Sequence, residues 1–413
     1  MSIPSFNLFL AALILAAFQM VAAIPWVSAV FTFDDRPFRK WITNGTVLGY
    51  LLGGTAALAL VLAFYMRSIA DVAELERYGR YYAAIFHLQL VFDFIVLVPR
   101  ALLAAWPKGG AVAVAAFRES LRQPMFWLIA ILGAILIMAS MVIPYFTLGD
   151  DYKVMKQVGF DVCMLFSGLF GLLTASISVN EEIEGRTAIT VISKPVSRRQ
   201  FFIGKYLGIL LACWTMTLLL GWVLTWALHI KPRFDPLDDV VDQMPFEVSR
   251  WLVPKMDSIV PTPEGSAWAR GMGMWLGETT AHHLGLVRIF GQVMILLAIC
   301  TALATRIPFV VNLIICLGVF LIGNLSPLMV HVTDKPENAG NPALQLVRFI
   351  AQLFNAVFPS LDSFDMGPAI IRDTPLSTIS FLGFVATVFA YALIYTAISL
   401  LAGLILFEDR DLA

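Results

Sequence analysis

Charge is scarce in this sequence: aspartate, glutamate, lysine and arginine supply only 14% of its 413 residues, against about 25% in typical soluble proteins. Hydrophobic residues make up 59%, mean hydropathy is +0.81, and several apolar runs reach the roughly 20 residues needed to cross about 30 Å of hydrocarbon. These features exclude an ordinary water-soluble fold. They predict an all-α, polytopic membrane protein.

Cysteine is sparse as well. Cys163, Cys213, Cys300 and Cys316 lie inside apolar segments without CxxC spacing or paired loop positions, which argues against a disulfide framework and against a zinc site. Catalytic motifs are missing too. No GxxxxGK[ST] occurs; Gly204–Lys205 runs into Tyr206 and lacks the upstream glycine that a phosphate-cradling loop needs. HExxH, GxSxG and GxGxxG are absent, so neither an enzyme nor a cofactor is expected. With a net charge of −1 and no basic patch, nothing points to nucleic acid.

What the sequence does have is long apolar runs. Phe6–Phe31, Thr46–Met66, Met125–Phe146, Phe160–Val179, Tyr206–Leu228, Leu284–Thr305, Ile307–Met329 and Ile379–Phe407 each read as a span. The first lacks a positive n-region and is too long for a signal peptide, so it reads as a retained membrane helix. A tight turn at Arg306 and Pro308 makes the sixth and seventh a hairpin. The segment Ala83–Trp106 carries His87, Gln89, Asp93, Pro99 and Arg100. It either spans with its polar face against protein or lies in the interface.

Lysine and arginine placement orients the spans. Asn180–Lys205 holds Arg186, Lys194, Arg198, Arg199 and Lys205, and Lys108, Arg118 and Arg122 precede Met125. His229–His283 has five basic against eight acidic residues, and His331–Thr378 has three basic. The first loop is therefore expected in the cytoplasm and the two long ones outside. Parity of the last four spans then places the C-terminal FEDRDLA on the cytoplasmic side too.

Two stretches read as amphipathic helices. Ala111–Pro124 puts Phe117 and Leu121 on one face and Arg118, Glu119 and Arg122 on another, as a helix lying on the cytoplasmic surface would. Farther on, Gln345, Arg348, Gln352 and Asn355 oppose Leu346, Val347, Ile350, Phe354 and Val357, so a re-entrant or surface-lying helix is expected ahead of the last span. Small-residue stripes at Gly49, Gly53, Ala57 and at Ser167, Gly171, Ala175 mark helix contacts, either within the chain or at a subunit or conduit interface.

Isolated polar groups carry less. His282 and His283 read as the wetted outer end of a span, and Asp161 as an interfacial carboxylate. Asn312, Asn324 and Gln292 either line a conduit or bond between helices. Trp251, Trp268 and Trp275 are expected to rest on the membrane.

Against this apolar background, NEEIEGRTAITVISKPVSRRQFFIGK (Asn180–Lys205) concentrates eight of the 57 charged residues. Glu181, Glu182 and Glu184 suit a helix N-terminus. Thr187–Ile192 is mostly β-branched, which disfavours a long helix, and Pro195 ends what precedes it. Ser197 and Gln200 form a capping-box pattern that restarts a helix into the membrane. Phe201 and Phe202 suit the headgroup boundary, and Arg198, Arg199 and Lys205 are expected to reach anionic headgroups. The apolar AITVI rimmed by charge reads as a docking surface on a structured elbow.

EEIEGRTAITVISKPVSRRQFFIGKYLGIL resembles the cytoplasmic loop of type-2 ATP-binding-cassette (ABC) exporter permeases, with Glu182, Glu184, Thr187, Pro195, Ser197, Arg198, Gly204 and Lys205 matching by position. One departure is Arg186, which separates Gly185 from Thr187. The resemblance extends to architecture. It implies a six-helix permease core over residues 111–413 with outer loops 229–283 and 331–378, behind an N-terminal extension (1–110) of two or three further membrane helices. It further implies a multi-pass protein of the cell (inner or plasma) membrane that pairs as a homo- or heterodimer and takes ATP hydrolysis from a separate ATPase subunit. Coupling to that subunit would run through Glu181, Glu182, Glu184, Thr187, Pro195, Ser197, Arg198, Arg199 and Lys205. An ion-coupled carrier, a non-transporting scaffold and an integral-membrane lipid enzyme are the competing readings. The transported substrate is not legible.

Overall fold

A computed structural model describes residues 4–31, 44–145, 147, 149–184, 196–234, 246–260, 262–333, 342–370 and 377–408. These form thirteen α-helices and two short 3-10 turns, with no strand among the described residues. The helices are α1 (Phe6–Phe31), α2 (Gly45–Ser68), α3 (Val72–Ala105), α4 (Pro107–Arg122), α5 (Pro124–Ser140), α6 (Asp151–Glu184) and α7 (Arg198–Ile230). After them come α8 (Phe246–Ile259), α9 (Pro263–Leu303), α10 (Phe309–Thr333), α11 (Pro342–Val357), α12 (Gly367–Ile370) and α13 (Thr378–Glu408). Eight of them, α1, α2, α3, α6, α7, α9, α10 and α13, are long and apolar enough to cross a membrane. The protein is an all-α polytopic membrane protein.

The chain groups into two compact units, one of residues 1–100 with 242–283 and the other of 101–241 with 284–413. In the first, α3 and the start of α9 meet backbone to backbone. A Cβ on Gly79 would lie 2.1 Å from the Trp268 carbonyl oxygen, and one on Gly271 would lie 2.0 Å from that of Glu76. Only glycine permits that approach. Arg270 pairs with Glu76 at 3.0 Å and Asp257 at 3.4 Å, and Tyr65 and Tyr82 edge onto Trp268.

This packing resolves the segment Ala83–Trp106. It belongs to a continuous helix whose His87, Gln89 and Asp93 are all buried. The Gln89 side chain bonds Gln19 of α1, and the Tyr82 hydroxyl donates to the Leu15 carbonyl at 3.1 Å. These three polar groups are turned against protein, while Arg100 near the end of α3 is exposed.

The same unit corrects two expectations and leaves a third residue set exposed. Trp268 and Trp275 are core residues, 3% and 0% exposed, while Trp251 stays exposed under the Lys255 ammonium. His282 and His283 do not begin a helix: α9 starts at Pro263, so both fall in its interior. His282 is buried, and the ring of His283 lies 4.9 Å from that of His87. The stripe of Gly49, Gly53 and Ala57 lies on an exposed flank of α2, where a Cβ on either glycine would meet nothing within 4 Å.

In the second unit, α4 and α5 bend by 61° at Gln123–Pro124, where proline cannot donate the helical bond. α4 buries Phe117 and exposes Arg118, Glu119 and Arg122, as its amphipathic pattern requires. α5 is shorter than the expected span Met125–Phe146, ending at Ser140. The second expected stripe is an interhelical contact: a Cβ on Gly171 of α6 would lie 2.7 Å from Cys213 Sγ of α7. Asn312 is fully buried, its Nδ2 donating to Ser176 Oγ (2.9 Å) and to the Cys300 carbonyl (3.0 Å), tying α10 to α6 and α9. The Asn324 side chain donates within its own helix, to Phe320 O.

α9 and α10 form the expected hairpin. α11 and the segment Asp362–Ile370 make a second bent pair, at 69°, the geometry of a broken span or re-entrant loop. Leu361, Phe364 and Met366 are fully buried there, and the Leu361 N–H donates to Gly323 O of α10 at 2.9 Å. Arg288 of α9, itself buried, donates from Nε and Nη2 to the Ser363 carbonyl at 3.2 and 2.9 Å.

Candidate functional site

The charged elbow lies between two helices that both extend beyond their apolar spans. α6 does not stop at Val179. Neither glycine nor proline interrupts it between there and Gly185, and helical bonding continues to Glu184. Glu181, Glu182 and Glu184 therefore occupy a helix C-terminus, the reverse of the expected N-terminal placement. Carboxylates there oppose the helix dipole, each by about 0.3–1 kcal/mol. Their presence at that end calls for a reason other than helix stability. Thr187, Pro195 and the AITVI patch lie outside the described residues.

The chain re-enters the described structure at Val196, and α7 begins as the pattern predicts. The Ser197 hydroxyl oxygen accepts from the Gln200 N–H at 3.2 Å, and the Gln200 side chain accepts from the Ser197 N–H at 3.0 Å. This reciprocal box satisfies two donors that a helix start leaves open and is worth about 1 kcal/mol. It fixes the residue at which the elbow stiffens.

From that start the three expected headgroup cations each find a partner within the protein, although Arg199 stays 70% exposed. Arg198 Nη1 donates to the carbonyls of Phe407 (3.3 Å) and Glu408 (3.0 Å), and Arg199 Nε meets the Glu408 carboxylate at 2.8 Å. Lys205, only 4% exposed, reaches Glu119 of α4 at 3.1 Å. Phe201 and Phe202 are likewise buried, each stacking on Phe407 of α13 with ring centroids 6.0 and 6.1 Å apart. Burial of two aromatic rings outweighs what they would gain at a headgroup boundary.

α4 lies directly across the first turns of α7. A Cβ on Gly204 would sit 2.7 Å from Gly109 O, and one on Gly208 would sit 2.3 Å from Ala113 O. Gly204–Lys205 is thus a crossing point where the glycine admits the α4 backbone and the lysine pairs with it. The C-terminal end of α13 stands beside the start of α7.

Among the described residues no group of three His, Cys, Asp or Glu is placed to hold a metal, and Asp161 sits half-buried ten residues into α6. Sequence reasoning missed Arg288 and Phe407. The arginine inside an apolar run was the available signal for the first, and nothing local marks the second.

The family model described as "ABC-2 family transporter protein" matches residues 111–412. No curated protein matches the chain.

Proposed function

The chain belongs to the ABC-2 transporter family, and from that premise we propose that it is the membrane subunit of an ATP-driven exporter whose elbow, residues 180–205, couples to a separate ATPase chain. Membership makes it a permease component of an ABC transporter, a multi-pass membrane protein rather than an enzyme. The finer reading assigns residues 111–413 to the permease core and 1–110 to an added membrane segment. It places the elbow in the cytoplasm of a cell-membrane protein and pairs two permeases around two ATPases.

The observation that carries the coupling role is the elbow's construction. A capped, glycine-crossed helix start is held by α4 and α13, and it follows three carboxylates at a helix end that disfavours them. A helix start held in this way, preceded by acidic residues, suits transmission of force from a partner, as a rigid-body switch requires. The missing phosphate-binding loop agrees with hydrolysis in another chain.

The test is co-purification. The intact protein, solubilised gently from its own membrane, is expected to bring down a chain carrying a GxxxxGK[ST] loop, and Glu184→Lys is expected to sever permease-dependent ATP turnover while the protein stays folded. Normal binding and turnover in Glu184→Lys would remove the elbow from the mechanism.

A further inference from the structure

α13 is held at its C-terminal end and again through its N-terminal half. Only 22% of its apolar stretch is buried. Its last turn leaves carbonyls without helical partners, and arginines from two other segments take them. Arg306, in the turn between α9 and α10, donates from Nε to Leu406 O at 2.9 Å, beside the Arg198 bonds to Phe407 and Glu408. Cations at a helix C-terminus also complement its dipole. Beneath them Phe407 is sealed among Phe201, Phe202, Val179, Ala302 and Ala304. The fit is close: a Cβ on Gly403 would lie 2.5 Å from Phe202 Cζ and 2.8 Å from Ala302 Cβ.

The N-terminal half of α13 grips the re-entrant segment. The hydroxyl of Tyr391 accepts from the Ser360 N–H at 2.9 Å, and the Phe364 and Tyr391 rings are 6.2 Å apart. Arg288, which holds the Ser363 carbonyl, also places its guanidinium 4.6 Å from the centroid of Phe384. Phe384 and Phe407 are separated by about 35 Å of helix at 1.5 Å per residue.

We propose that α13 is the span driven by the elbow, and that it carries elbow displacement to the re-entrant segment Ser360–Met366. The proposal rests on the coupling role given to the elbow above. Arg198, Arg199 and the Phe201–Phe202–Phe407 stack join the first turn of α7 to the last turn of α13 as one body. A tilt imposed on that body moves Phe384 and Tyr391 in the N-terminal half, because a helix transmits tilt along its length while its lightly covered flank resists little.

The experiment uses the complex with its co-purified ATPase in liposomes and an Asp362→Cys reporter, an exposed position in the re-entrant segment. The four native cysteines are buried and give little background. Maleimide labelling of the introduced thiol is timed with and without ATP and orthovanadate. Trapping is expected to change the labelling rate several-fold. Arg306→Ala/Glu408→Ala, which alters exposed side chains at the α13 end outside the coupling residues, is expected to cut most of that change while the ATPase still binds. Arg199→Glu is expected to reduce the response and Arg199→Glu/Glu408→Arg to restore part of it. Phe407→Ala serves as a third variant wherever it remains folded, with the same loss expected. A full response in the double alanine variant, or no response of the reporter thiol in a complex that binds and hydrolyses ATP, overturns the role of α13. Failure of any ATPase to bind overturns the coupling reading itself and the proposal with it.

Discussion

Lys205 and Glu119 stand 86 residues apart in sequence, yet their charged atoms are 3.1 Å apart, with the lysine 4% and the glutamate 51% exposed. The pair joins the first turns of α7 to the amphipathic helix α4. A buried ammonium needs its anion more than a half-exposed carboxylate needs its cation. Glu119→Gln is therefore expected to lower stability by about 1–3 kcal/mol, read as a fall in melting temperature in detergent. Lys205→Met/Glu119→Gln is expected to recover part of the loss.

Glycines at helix crossings and on the open flank of α2 are expected to respond oppositely. A side chain at Gly208 meets Ala113 O at 2.3 Å and Ala116 Cβ at 2.7 Å, so Gly208→Val forces α4 off α7. Overpacking of this kind costs about 1–3 kcal/mol, and protease sensitivity is expected to rise at the α4–α5 bend. Gly49 and Gly53 meet nothing within 4 Å, so Gly49→Ala is expected to be neutral or to stabilise α2 by up to about 1 kcal/mol. Loss of folding in Gly49→Ala would contradict the packing described.

The amide of Asn312 binds three helices into one polar knot with Ser176 and Cys300. Interhelical hydrogen bonds in membrane proteins average about 0.6 kcal/mol and reach about 1.7. Asn312→Leu is expected to fall in that range and to raise the reactivity of Cys300 and Cys316 toward a small maleimide. Unchanged thiol reactivity would show that the knot does not hold the helices closed.

Arg288 fastens the re-entrant segment with two N–H groups on one carbonyl and a guanidinium plane over Phe384. Lysine reproduces neither geometry. Arg288→Ala and Arg288→Lys are both expected to speed amide hydrogen exchange over Leu361–Ile370. Exchange restored to the parent rate by lysine would mean that charge alone fastens the segment.

Much of this is legible in the sequence because the signals are local. Apolar run length locates the spans, Ser197 and Gln200 announce their own cap, and Phe117 against Arg118 and Arg122 marks the two faces of α4. Residues acting over long separations leave no such trace. Arg198 and Glu408 lie 210 residues apart, and no periodicity links them, so positive charge beside an apolar run reads as a headgroup anchor. The histidines mislead for a related reason. Hydropathy starts a span at Leu284, whereas the α9 helix starts at Pro263 because its polar first half is covered by α3. For α6, hydropathy marks the end too early, because charge ends an apolar run without ending a helix.

The central claim is that the elbow grips an ATPase. Its most direct measurement is a photo-cross-linking residue placed at position 184 of the full-length protein, irradiated in intact membranes, with the adduct identified by mass spectrometry. The account predicts an adduct with a chain bearing a GxxxxGK[ST] loop, reduced when ATP and orthovanadate shift the complex. Adducts confined to lipid or to the permease itself, in membranes where that ATPase is present, would contradict it.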